Sequence, residues 1–172
     1  CGLNDIEDKP LVGIASSQSQ IVPGHVHLGE LAAAAAEGVR GAGGVPLPFS
    51  TMALCDGICQ GSGMHAVLPS RELVAASVEL TGRGYDLDAL ICIASCDKIV
   101  PGMLMGAARL DLPTVFITGG LMAEGEWRGE RVVTSDVKEA IGRASRGEIT
   151  PQELHEIEVA ACCGPGVCNM MG

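Results

Sequence analysis

The chain has 172 residues, of which 47% are hydrophobic and only 2% aromatic, and its 21 acidic and 11 basic residues give a formal net charge of −10. A chain of this length and apolar content can bury a core as one domain, which excludes intrinsic disorder. The acidic balance argues against binding to nucleic acid or to an anionic membrane, and no apolar run approaches the roughly 18 residues that span a bilayer.

Predicted strands and helices alternate along the chain. In chain order, we predict strand 11–16, helix 27–41, strand 45–54, helix 69–80, strand 88–95, helix 101–110, strand 114–118, a surface loop or hairpin at 124–132, helix 135–146 and helix 151–161. Short apolar runs that end in polar residues indicate buried strands, and glycine or proline marks most helix ends. The alternation predicts an α/β fold with three layers, in which a mostly parallel open sheet carries helices on both faces.

Polar loops follow the predicted strands, at residues 16–20, 55–63, 95–98 and 119–120. In parallel sheets, ligands bind beyond the carboxyl ends of the strands. We therefore expect any functional site at this edge of the sheet.

Cys96, Asp97 and Lys98 form the most distinctive of these polar segments, between a predicted strand and a predicted helix. A soft thiolate suits an iron–sulfur cluster or zinc, whereas a hard carboxylate suits Mg²⁺. Taken alone, the triplet is more often a buried cysteine beside a surface ion pair. A second strand-end carboxylate, Asp56, would alone be an Asx turn before Gly57, but two such carboxylates at one sheet edge favour a shared divalent site.

Cys168 lies in a second cysteine-rich segment, the Gly/Pro loop 162–168. Glycine and proline let backbone amides approach sulfur, as cluster-binding loops require. The cysteine spacing matches neither zinc nor ferredoxin patterns, and a turn with incidental cysteines is the alternative. His25 and His27 could bind metal, but histidines at a helix start are more often polar caps or substrate contacts.

Eight cysteines without a recognisable secretory segment predict a cytoplasmic, reducing environment, where thiols are more often free, metal-binding or catalytic than bridged. The chain starts at Cys1 without Met and stops at Gly172, directly after the cysteine-rich loop. We expect it to be a fragment of a longer protein.

Together, these segments resemble the dihydroxy-acid dehydratase and phosphogluconate dehydratase family. The matching segments are 23–28, 42–46, 55–58, 68–73, 95–105 and 162–172, in the family's order and over nearly the whole chain. Segments 24–28 and 68–73 are more similar to the dihydroxy-acid branch. The resemblance implies that residues 1–172 are the N-terminal, cluster- and Mg²⁺-binding domain, and that a C-terminal domain is absent.

Carried over by motif, the resemblance assigns Cys96 and Cys168 to an iron–sulfur cluster. It assigns Asp56, Asp97 and Lys98 to Mg²⁺, with Lys98 carbamylated so that it offers an oxygen ligand. The family's serine base lies in the C-terminal domain, so we expect no catalytic residue in this segment, and no substrate-binding residue is assigned.

The function implied is that of a hydro-lyase, a homodimer that converts 2,3-dihydroxy acids to 2-oxo acids in branched-chain amino-acid biosynthesis. The cluster would act as a Lewis acid on the C3 hydroxyl, and Mg²⁺ would hold the carboxylate and the C2 oxygen. A sugar-acid dehydratase, acting on an aldonate or phosphogluconate, is the alternative within the family. A non-catalytic α/β metal or redox module is the alternative of another class, and it would not need Asp56, Asp97 and Lys98 to converge with Cys96.

Gly24 departs from the pattern of the family, because many members with a [2Fe–2S] cluster have a cysteine at this position. The cluster type, [2Fe–2S] or [4Fe–4S], therefore stays open. The third thiolate stays open as well, with Cys55, Cys59, Cys162 and Cys163 as candidates.

Overall fold

The computed structural model describes residues 6–168. Both termini, Cys1 and Gly172, and the last residues of segment 162–172 lie outside this described part. The elements are β1 (Leu11–Ser16), α1 (Leu28–Gly41), β2 (Val45–Ser50), α2 (Met64–Gly84), β3 (Ala89–Ala94), α3 (Ile99–Leu110), β4 (Thr114–Thr118), β5 (Gly125–Trp127), β6 (Glu130–Val132), α4 (Thr134–Ser145) and α5 (Pro151–Ala161). Among residues 6–168, no helix combines the length and apolar character needed to cross a bilayer.

Four parallel strands form the main sheet, in the order β2-β1-β3-β4. Helix α1 covers one face, where Ile14 and Ile93 pack with Leu28 and Ala36. Helices α2 and α3 cover the other face, which confirms the predicted three-layer α/β fold. A smaller cluster holds α4 and α5 against the antiparallel β5–β6 hairpin.

The predicted and observed boundaries differ most at β2 and α2, and α2 also extends to Gly84 rather than to residue 80. Strand β2 ends at Ser50 rather than at residue 54, because its partner β1 ends at Ser16, which pairs with Ser50. Helix α2 begins at Met64 rather than at Pro69, so that the proline lies inside the helix. Proline was taken as the first helical residue, but Pro69 is the sixth residue of α2, where it removes one hydrogen bond of the helix without ending it.

Glycines set the close approach of α2 and α3. A Cβ atom built on Gly106 would lie 2.8 Å from the Ala75 carbonyl oxygen and 2.8 Å from Val78 Cβ. A Cβ atom on Gly102 would lie 2.8 Å from the carbonyl oxygen of Arg71. Because backbone atoms cannot move aside as a flexible side chain can, these positions have no room for a methyl group.

Replacing Gly106 by Ala is therefore expected to lower the free energy of unfolding by about 1–2 kcal/mol, although alanine is the better helix former. Overpacking costs about 1–3 kcal/mol, which outweighs the gain of about 1 kcal/mol in helix propensity. Gly38→Ala in α1 is the matched control, since nothing lies within 4 Å of its Cβ position, and it should raise the stability by up to about 1 kcal/mol. Urea unfolding followed by circular dichroism measures both, and a stabilising Gly106→Ala would contradict the packing.

Candidate metal centre

Cys96 lies in a strained turn between β3 and α3. Its backbone φ is +72°, in the left-handed region that favours glycine, and such a conformation costs about 1–3 kcal/mol and occurs preferentially at functional sites. The residue is only 5% exposed, and the Ser95 hydroxyl accepts a hydrogen bond from the Gly119 N–H at 3.1 Å. The turn therefore holds the Cys96 thiol just before the start of α3.

Cys55 and Cys96 are in direct contact, although 41 positions separate them in the sequence. The Cys96 thiol donates a hydrogen bond to the Cys55 sulfur, which lowers the pKa of Cys55 to about 6 despite partial burial. The same hydrogen bond, followed by burial and by the nearby Cys55, Cys168 and Asp56, raises the pKa of Cys96. The hydrogen bond between the two sulfurs thus stabilises a thiolate within the pair.

Two carboxylates meet at Lys98. Its Nζ donates to Asp56 Oδ2 at 2.8 Å and also donates to Asp97 Oδ2, and all three side chains are less than one third exposed. Asp56 Oδ1 is buried and has no hydrogen-bond partner among residues 6–168. An unpaired buried oxygen is costly, and a cation beside it would satisfy it.

Cys168 reaches the same edge because its loop is hydrogen-bonded to the sheet end and to the loop after β1. Val167 donates to the Gly120 carbonyl at 3.1 Å, and the Met122 N–H donates to the Val167 carbonyl at 3.0 Å. Gly166 donates to the Pro23 carbonyl at 3.2 Å. Gly166 has a φ of +130°, and a side chain there would strike the backbone of Met122, so glycine is required.

Two adjoining cavities join these groups. The larger, of about 310 Å³, is lined by Cys55, Cys96 and Cys168. The smaller, of about 220 Å³, is lined by the same three cysteines and by Asp56 and Asp97. The structure thus brings together all the residues predicted to bind metal, with Lys98 bridging the carboxylates; their role as ligands stays a prediction.

As the side chains stand, no group of three or more His, Cys, Asp or Glu within residues 6–168 is spaced to hold a metal ion. One reason lies at the carboxylates, where the Lys98 ammonium takes the place between Asp56 and Asp97 that a cation would need. The donors still suit the implied groups: three thiols face one cavity, and beside them a carboxylate has an unpaired oxygen.

The two histidines have other roles. His25 is buried, its Nδ1 donates to the Ser17 carbonyl at 2.6 Å, and burial lowers its pKa, which keeps the ring neutral. His27 occupies the N-cap position of α1, but its side chain does not cap the helix; its Nε2 donates to the Gly119 carbonyl at 2.8 Å. Both rings therefore fix loops next to the site.

Sequence reasoning missed the contribution of α4 and α5 to the cavity walls. Lys138 lines both cavities, and Val137, Ile141 and Glu158 line the larger one. Val137 and Ile141 are four residues apart, so an apolar stripe on a polar helix was the available signal. The spacing of these residues gave no sign of which surface that stripe would face.

The chain is thus an α/β domain that gathers thiols and carboxylates at the carboxyl edge of a parallel sheet. Residues 9–172 match the family described as dihydroxy-acid/6-phosphogluconate dehydratase N-terminal, and the chain belongs to this family. It is 54% identical to a dihydroxy-acid dehydratase of Aquifex aeolicus, 52% identical to one of Methanobrevibacter smithii and 51% identical to one of Pyrococcus abyssi. These alignments cover 98–99% of the chain but 31% of each relative, so the chain spans about a third of their length.

Proposed function

We propose that this chain is the metal-binding N-terminal domain of a dehydratase that converts a 2,3-dihydroxy acid to a 2-oxo acid. The observation that carries the proposal is the meeting of the Asp56–Lys98–Asp97 ion pairs with the thiols of Cys96 and Cys168 at one cavity. The names of the relatives support it, since they are dihydroxy-acid dehydratases. A non-catalytic metal or redox module would need the thiols but not the three converging charged groups.

Cys96 and Cys168 would hold an iron–sulfur cluster, while Asp56, Asp97 and a carbamylated Lys98 would hold Mg²⁺. When bound, these groups would supply a Lewis acid for the departing C3 hydroxyl and positive charge for the carboxylate and C2 oxygen of the substrate.

Carbamylation of Lys98 would produce the largest change in charge that this site can undergo. As an ammonium, it neutralises Asp56 and Asp97, to which it donates. Reaction of the neutral amine with CO₂ forms a carbamate and releases two protons relative to the ammonium. One positive charge is thereby replaced by a negative one, and the three side chains together offer only anionic oxygens, which hard divalent cations prefer.

Apolar walls favour an aliphatic acid over a sugar acid. Val22, Met122, Val137 and Val167 line the larger cavity next to the thiols. Such walls exclude water and suit a branched hydrocarbon substituent, whereas a polyhydroxylated chain would leave its hydroxyls without partners.

We propose that a C-terminal domain of the same protein completes the site by supplying the catalytic base, and that the whole protein is a homodimer. The length of the relatives supports the existence of further chain. We also propose a cytoplasmic location, supported by the seven cysteines of residues 6–168, all of which are free thiols.

We expect the anaerobically purified full-length protein to convert 2,3-dihydroxy-3-methylbutanoate to its 2-oxo acid in a Mg²⁺-dependent reaction. Its kcat/KM should exceed that for gluconate or 6-phosphogluconate by about 10²-fold, because buried hydroxyls of the sugar acids would go unpaired. A coupled assay for the 2-oxo product measures both. Preference for a sugar acid would support the other branch of the family, and bound iron without turnover on any of these acids would support a non-catalytic module.

A further inference from the structure

The dipeptide Cys-Asp occurs twice in the chain, and the two copies face each other in the fold. Cys55-Asp56 lies in the loop after β2, and Cys96-Asp97 lies directly before α3. The Cys96 thiol donates a hydrogen bond to the Cys55 sulfur, and Lys98 donates hydrogen bonds to the carboxylates of Asp56 and Asp97. The two thiols are therefore in contact, and the two carboxylates are joined through Lys98, so the two loops form one composite site.

Position 24, where many family members with a [2Fe–2S] cluster have a cysteine, has no room for one here. A Cβ atom on Gly24 would lie 2.9 Å from Val167 Cγ1 and 3.3 Å from both the Cα and the N of Val167. A side chain at position 24 would have to displace the residue that precedes Cys168. The loop carrying Cys168 thus crowds the position that the Cβ atom of a cysteine at position 24 would need.

Cys55 is the remaining cysteine best placed to replace that thiol. It lines both cavities together with Cys96 and Cys168. Cys162 is exposed and lines only the larger cavity, and Cys163 is exposed and donates to the Ala123 carbonyl at 3.1 Å. Cys59 lines neither cavity.

We propose that Cys55 is the third thiolate ligand of the cluster and replaces the cysteine that many family members have at position 24. This inference rests on the proposed function. Three loops then supply one thiolate each: the loops after β2, β3 and α5. Because Cys55 is followed by Asp56 and Cys96 by Asp97, each of two loops supplies one ligand to the cluster and one to Mg²⁺. Loss of Cys55 should therefore remove the cluster while leaving the carboxylates and Lys98 in place.

The test compares Cys55→Ser, Cys96→Ser and Cys59→Ser in the anaerobically purified full-length protein. Loss of a direct ligand should lower the bound iron and acid-labile sulfide at least about tenfold, since even loss of an indirect partner weakens metal binding about 10–100-fold. We expect this loss in Cys55→Ser and Cys96→Ser, and wild-type content in the control Cys59→Ser. Wild-type iron and sulfide in Cys55→Ser, combined with loss in Cys96→Ser, would overturn the inference but not the proposed function.

A second measurement uses the wild-type protein and therefore does not depend on whether the variants fold. N-ethylmaleimide labelling and peptide mapping should find Cys55, Cys96 and Cys168 protected while the cluster is bound, and labelled after oxidative removal of the cluster. The exposed Cys162 and Cys163 should be labelled in both states. Labelling of Cys55 with the cluster intact would overturn the assignment, and a wild-type protein that binds no iron would overturn the proposed function together with it.

Discussion

Replacing Cys96 by Ser is expected to remove the visible iron–sulfur absorption of the full-length protein and to lower its turnover at least about a hundredfold. The Cys96 thiol is buried, contacts the Cys55 sulfur and lines the same two cavities as Cys168. A serine hydroxyl is shorter and harder than a thiolate and cannot replace it as a ligand to iron. Cys168→Ser should have the same effect, because its loop brings another thiol to the same cavity.

Absorption spectra, iron and sulfide content and turnover, all measured anaerobically, check this prediction. Cys92→Ala is the matched control, since Cys92 lies on the strand that precedes Cys96 but points into the core, where burial raises its pKa to about 12. This control should keep the cluster and lose only packing stability. Survival of wild-type absorption in both Cys96→Ser and Cys168→Ser would refute the ligand assignment.

Replacing Lys98 by Arg is expected to lower Mg²⁺-dependent turnover by about 10²-fold or more, with the iron content unchanged. Arginine keeps the positive charge and can still pair with Asp56 and Asp97, but it cannot form the carbamate that would bind Mg²⁺. The variant therefore separates the loss of a carbamate ligand from the loss of a simple ion pair.

Nuclear magnetic resonance of protein equilibrated with ¹³C-bicarbonate gives a direct readout of the modification. The wild-type protein should show a carbamate carbon signal, and Lys98→Arg should lack it. Lys138→Arg is the matched control, because Lys138 lines both cavities from α4; this variant should retain both the signal and the turnover. Full activity of Lys98→Arg, or a carbamate signal that survives in it, would exclude the proposed role of Lys98.

Local patterns predicted most of the secondary structure. The apolar run of β1, the strand β4 and the capping box that opens α5 were predicted with the observed boundaries. In the capping box, Thr150 accepts from the Glu153 N–H while the Glu153 carboxylate accepts from the Thr150 N–H. These features depend on residues within a few positions of one another, which is why the sequence reveals them.

Local sequence patterns predicted only part of the candidate site. Alternation of strands and helices determined that Asp56 and Cys96 follow strands at the same edge of the sheet, because parallel strands all end there. The motif resemblance pointed to Cys168 but not to how its loop reaches that edge. Among four candidate cysteines, the sequence offered no reason to prefer Cys55.

Tertiary structure decided which side chains from separate loops meet at that edge. The contact of Cys55 with Cys96, the bridge from Lys98 to Asp56 across 42 positions and the packing of Val167 on Gly24 all join separate loops. Such contacts follow from how the loops pack on the finished sheet, and local propensity does not specify them. The sequence by itself therefore determined the fold class and the edge of the sheet that holds the site, while only the packing of the loops decided which thiols and charges meet there.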